Sequence, residues 1–148
     1  MPVDTPTPVA NRSDSRSQRV AHRVLVGVTT FSAVSAVGGG VGLVITDGLG
    51  MPRSFLSGGP FLSFVWPGML LLVVIGGTQV LSLVLLSRRA PSRLLASAVA
   101  GFGMLIWITV EVGLIHEFSW PQMIYLGAGL VQLSAVYGEL GILPMRWR

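Results

Sequence analysis

Four long apolar runs organise this chain, at residues 24–46, 61–86, 94–115 and 122–143. Each holds roughly 20 residues, enough at about 1.5 Å rise per residue to cross a hydrocarbon core of roughly 30 Å. Lipid offers the backbone no hydrogen bonds, so a run at this length must satisfy its own amides and carbonyls as a helix. The alternating pattern of a barrel strand is absent. The expected fold class is all-α: an integral membrane four-helix bundle with both termini on the same side. Composition agrees. Only 11% of the 148 residues are charged, where soluble domains carry roughly 25%.

The arginines set the expected orientation. Arg12, Arg16, Arg19 and Arg23 precede the first run, Arg88, Arg89 and Arg93 fill the link between the second and third, and Arg146 and Arg148 follow the fourth. Arg53 alone lies in the remaining loops. Positive residues collect at the cytoplasmic face, so both termini are expected in the cytoplasm and the protein in a plasma membrane, multi-pass. The arginines flank spans instead of forming one basic face, so nucleic acid is not an expected partner. The absence of cysteine excludes thiolate metal sites and thiol redox chemistry.

Residues 1–22 are rich in Pro, Ser, Thr and charge and are expected to form a disordered cytoplasmic tail. Residues 23–145 make up the membrane domain. VLVGVTTFSAVSA has the look of a signal-peptide core ending in small residues, but hydrophobicity continues to Ile45, which gives span length. The first outer loop, residues 47–60, carries four glycines and two prolines that mark turns. Pro67 suits a first helical turn, so the second helix is expected to begin near it. Ser32, Ala36 and Gly40 recur every four residues, as small residues do where helices approach closely. They serve either packing within the chain or a face for a homo-oligomer or membrane-protein partner.

Polar residues within the spans are the candidate site residues, since inserting a carboxylate at a helix centre costs about 2.5–3.5 kcal/mol. Taking run centres as midplane, Glu111 lies about 10 Å above it and Glu139 about 9 Å below. That separation rules out a shared two-carboxylate mechanism. Tyr125, Gln132 and Glu139 recur every seven residues and form one stripe. Two clusters are expected: an outer one of Glu111 with Tyr125, Arg53 or His116, and an inner one of Glu139 with Gln79. His22 is expected simply to be solvated. His116 with Glu117 and Asp47 makes too thin a donor set for a metal, and no metal or cofactor is expected. No GxSxG, HExxH or phosphate loop is present.

The segments GLGMPRSFLSGGPF, WPGMLLLVVIGGTQ, GFGMLIWITVEV and SWPQMIYLGAGL together resemble a group of small bacterial four-span membrane proteins that are uncharacterised. The resemblance runs from about Arg23 to Leu143. It implies the same fold, with Glu111 and the 48–61 loop in the shared pattern, and no activity. The expected function is therefore non-catalytic, as a scaffold, sensor or accessory subunit. The alternative is a small proton- or solute-coupled transporter or channel using Glu111 or Glu139. A lipid-modifying enzyme with Glu111 and His116 at its outer face is a weaker third. Glu111 itself is expected to be a structural clasp to Tyr125 and the 47–60 loop, more than the wall of a pocket beneath that loop.

Overall fold

Helices are what the apolar runs form in the computed structural model, which describes residues 12–57, 59–115 and 120–141. Helix α1 covers Arg12–Thr46. A second rod has three parts: α2 (Val65–Leu70), a π turn (Leu71–Gly76) and α3 (Gly77–Ser87). Helices α4 (Arg93–Ile115) and α5 (Trp120–Glu139) follow. No strand occurs among the described residues.

Three helical segments are long and apolar enough to cross a membrane: Arg16–Thr46, Val65–Ser87 and Arg93–Gly113, with mean hydropathies of 1.7, 2.4 and 1.8. Helix α5 is of similar length but carries Gln122, Gln132 and Glu139, which lower its hydropathy. Gln122 and Gln132 point inward, so polarity on α5 is an internal feature. The radial distribution is that of a protein surrounded by lipid. Gln79, Ser82, Ser97 and Gln132 are fully buried, while Val34, Leu95 and Ile106 are each more than 60% exposed. In water such an exposed apolar surface would drive association.

Helix α1 begins about twelve residues before the apolar run, so it takes in the second half of the segment expected to be an unstructured tail. Tertiary packing accounts for the extension. Ala21 and Leu25 are buried, Leu25 joins a core with Leu86, Ala135 and Val136, and Ala21 lies against Gly138 of α5. The second rod starts at Val65, two residues before Pro67, whose missing N–H would lack a helical partner in the first turn in any case.

Helix α1 lies between α5 and the second rod, and α4 lies between α3 and α5. Small residues set the closest approaches. A methyl group on Gly40 would stand 2.7 Å from Cβ of Leu72, and one on Gly68 would stand 2.8 Å from Cβ of Leu43. Ser32, Ala36 and Gly40 all face this interior, so the four-residue stripe packs within the chain.

Across the interior, Gln79 and Gln132 exchange amide hydrogen bonds. Gln79 Nε2 donates to Gln132 Oε1 at 3.1 Å, and Gln132 Nε2 donates to Gln79 Oε1 at 3.2 Å. Each amide also reaches a carbonyl of α4, Ala100 for Gln79 and Ser97 for Gln132. The pair thereby ties α3, α4 and α5 together and uses both ends of each amide. One turn further in, the Ser82 and Ser97 hydroxyls meet at 2.7 Å.

Candidate functional site

The glutamates of α4 and α5 have different surroundings. Glu139 ends α5 and meets the start of α4. Arg93 Nη2 donates to its Oε1 at 3.1 Å, and His22 Nδ1 of α1 stands 3.3 Å from the same oxygen. Its side chain is only 9% exposed. The expected inner cluster of Glu139 with Gln79 is not what forms. Gln79 pairs with Gln132, two turns further up α5, and the role assigned to Gln79 falls to Arg93 and His22. His22 is thus paired rather than merely solvated. The physical reason is charge. A carboxylate gains more from a guanidinium than from an amide, and a buried amide is best matched by another amide.

Glu111 is half-buried on α4, one turn before the end of that helix. Gln122 Nε2 of α5 donates to its Oε1 at 3.4 Å, and Trp107, one turn back on α4, also donates to the carboxylate. Both described partners are neutral. Tyr125 is nearby, but its ring stacks on Phe31 of α1, with centroids 6.1 Å apart, and no bond joins it to Glu111. Arg53 does not reach Glu111 either. It pairs with Asp47 at 3.0 Å. His116 and Glu117 lie outside the described residues.

A cavity of about 520 Å³ opens beside Glu111. Its walls come from α1 (Ser35, Gly39, Leu43), the top of the second rod (Pro67, Leu70, Leu71), α4 (Trp107, Ile108) and α5 (Gln122, Tyr125). Its roof is the 47–64 loop, through Met51, Phe55, Leu56, Phe61 and Phe64. Buried Ala36, Ile75 and Met104, with Leu71, Trp107 and Tyr125 packed on them, close the floor. Below that floor comes the Gln79–Gln132 pair. Glu111 is the one charged residue in the described lining.

The roof is held by a clasp, but Asp47 makes it rather than Glu111. One oxygen of Asp47 takes the Arg53 bond, and the other accepts from the backbone N–H of Phe64 at 2.9 Å. That bond fixes the residue just before α2 to the residue just after α1. Asp47, Gly48, Leu49 and Gly50 all have positive φ, a run that reverses the chain sharply. Gly48 is needed there twice over, for its φ of 121° and because a methyl group would stand 2.5 Å from the Phe64 ring. Leu49, at φ 52°, is held by its N–H bonding to the Thr46 hydroxyl at 2.7 Å. A short 3₁₀ turn, Arg53–Leu56, then aims Phe55 and Leu56 into the cavity.

Gln122 and Trp107 are the site residues that sequence reasoning passed over. The signal was available. Gln122 precedes Tyr125 by three residues and Trp107 precedes Glu111 by four, spacings that share a helix face. No family model, curated protein or solved structure matches the chain.

Proposed function

We propose that this chain is a non-catalytic integral membrane protein that binds a small apolar molecule in the cavity between the 47–64 roof and Glu111, serving as a sensor or accessory subunit. In this reading it has four spans, with α5 as the last, both termini face the cytoplasm of a bacterial plasma membrane, and it belongs with the small four-span proteins it resembles. The observation that carries the reading is the cavity itself. Its volume lies within the ~300–1,000 Å³ of small-molecule sites, and its walls are apolar with a few convergent polar groups. The nine-to-one split of arginines supports the orientation, which would put the cavity in the outer half of the membrane.

Two experiments test this. Purified protein in nanodiscs is heated with a panel of apolar small molecules. A binder at a hundredfold over its Kd stabilises by about 2.7 kcal/mol, and Ser35→Phe, which fills the cavity, removes the effect. Stabilisation that survives Ser35→Phe would place binding elsewhere. For orientation, the chain's lack of cysteine allows single-cysteine labelling. An impermeant maleimide on intact cells should label Ser54→Cys and not Ser92→Cys.

The alternative, a proton- or solute-coupled transporter, uses the same Glu111 but requires the floor to open. The π turn at Leu71–Gly76 lies at that floor, and such turns recur where function requires rearrangement. Flux in liposomes that disappears with Glu111→Gln would favour transport over sensing.

A further inference from the structure

We infer that the cavity takes a lipophilic organic cation, an apolar molecule with one ammonium- or phosphonium-type centre, and that Glu111 is its counter-ion. The inference rests on the cavity being a binding site and adds the chemical class of what binds.

Three carboxylates have surroundings the structure describes. Asp47 is paired with Arg53 at 3.0 Å and Glu139 with Arg93 at 3.1 Å. Glu111 has only neutral described partners, an amide at 3.4 Å and an indole. It is also the one of the three that borders a cavity, and no arginine or histidine appears in the described lining. A half-buried carboxylate in low dielectric with no counter-charge among the described residues attracts a cation strongly and repels an anion.

The walls decide which cation. A metal ion needs several oxygen ligands, typically six or so, and the described lining offers one carboxylate, with the Gln122 amide and the Ser35 and Tyr125 hydroxyls spread over an otherwise apolar wall. Five aromatic side chains line the same space: Phe55, Phe61, Phe64, Trp107 and Tyr125. Aromatic rings attract organic cations through their negative faces and bury their apolar parts at the same time. Roof, wall and floor thus match a bulky, weakly hydrated cation, and Glu111 supplies the charge that selects it over a neutral molecule of the same shape.

The test compares 4-phenylbutyl-trimethylammonium with its uncharged isostere, in which carbon replaces nitrogen, on the full chain in phosphatidylcholine nanodiscs. Affinities are measured by competition against radiolabelled tetraphenylphosphonium. The expected result is at least tenfold tighter binding of the cation, with Glu111→Gln losing that tenfold while still binding the isostere. Equal affinities for the two probes, or a cation affinity unchanged in Glu111→Gln, would overturn the cation assignment and leave the cavity reading intact. No binding of either probe to the wild-type chain would overturn both. Thermal unfolding in the same nanodiscs verifies that Glu111→Gln is folded. Should it not fold, the cation-to-isostere ratio of the wild-type chain decides alone.

Discussion

In the proposed orientation the inner end of the helices carries Glu139, the last residue of α5, and the outer end Glu111, one turn before the end of α4; among the described residues only Glu139 meets a charged partner. Glu139 is largely buried against the partly exposed Arg93 and His22 where α1, α4 and α5 meet. Glu111 meets an amide and an indole and borders a cavity. The difference follows from where the arginines are. Of the eight arginines among the described residues, seven flank the end where Glu139 lies. The eighth, Arg53, is taken by Asp47. The uneven spread of arginines along the helices thus goes with which glutamate meets a cation among the described residues and which borders a cavity.

The contrast can be broken most forcefully at the inner end. Arg93→Met leaves Glu139 largely buried without its guanidinium. Removing one member of a fully buried pair costs about 3–5 kcal/mol, and partial exposure of Arg93 brings the expected loss to roughly 2–3 kcal/mol. Thermal unfolding in nanodiscs measures it, and a loss near zero would show the inner end to be held by packing alone. Next comes the core between the two ends. Gln132→Leu strands the amide of Gln79 and should cost about 1–2 kcal/mol. The double change Gln79→Leu with Gln132→Leu should regain most of it. Additive losses in the double variant would contradict the reciprocal pair.

At the outer end the effects should be smaller. Asp47→Ala releases both Arg53 and the Phe64 amide, but the loop is exposed, and about 1 kcal/mol is expected. Limited proteolysis within residues 47–60 should accelerate severalfold, and an unchanged digestion rate would mean that the roof does not depend on the clasp. Smallest of all, Glu111→Gln should move stability by no more than about 0.5 kcal/mol, because no cation among the described residues loses its partner. A loss comparable to that of Arg93→Met would erase the distinction between the two ends.

Much of this architecture can be read in the sequence, because run length and the inward small-residue stripe are consequences of lipid as solvent. The Ser32, Ala36 and Gly40 spacing maps directly onto the face that meets the second rod. The Tyr125, Gln132 and Glu139 stripe is also real, with each residue facing the interior at a different level. Depth matching fails for Gln79. It treats helices as equal upright rods, and it cannot know that Gln79 and Gln132 satisfy each other. Asp47 is equally opaque, since its partner Phe64 is seventeen residues away across a loop of irregular dihedrals. The extension of α1 to Arg12 is invisible to hydropathy because it depends on contact with the far end of α5.

The π turn at Leu71–Gly76 has a consequence for how the second rod tolerates change. Above it, Pro67 and Leu70 face the cavity, as does its own first residue, Leu71; below it, Gln79, Ser82 and Leu86 face the core. The wider turn sets the angular phase between these two halves. A π turn takes up about one residue more than an α turn, so deleting one residue within 71–76 would let the rod close as ordinary α-helix with the phase of its two halves nearly kept. The same deletion in the α-helical parts of the rod would rotate one half against the other by about 100°. The π turn is therefore the place in this rod where a one-residue length change is best absorbed.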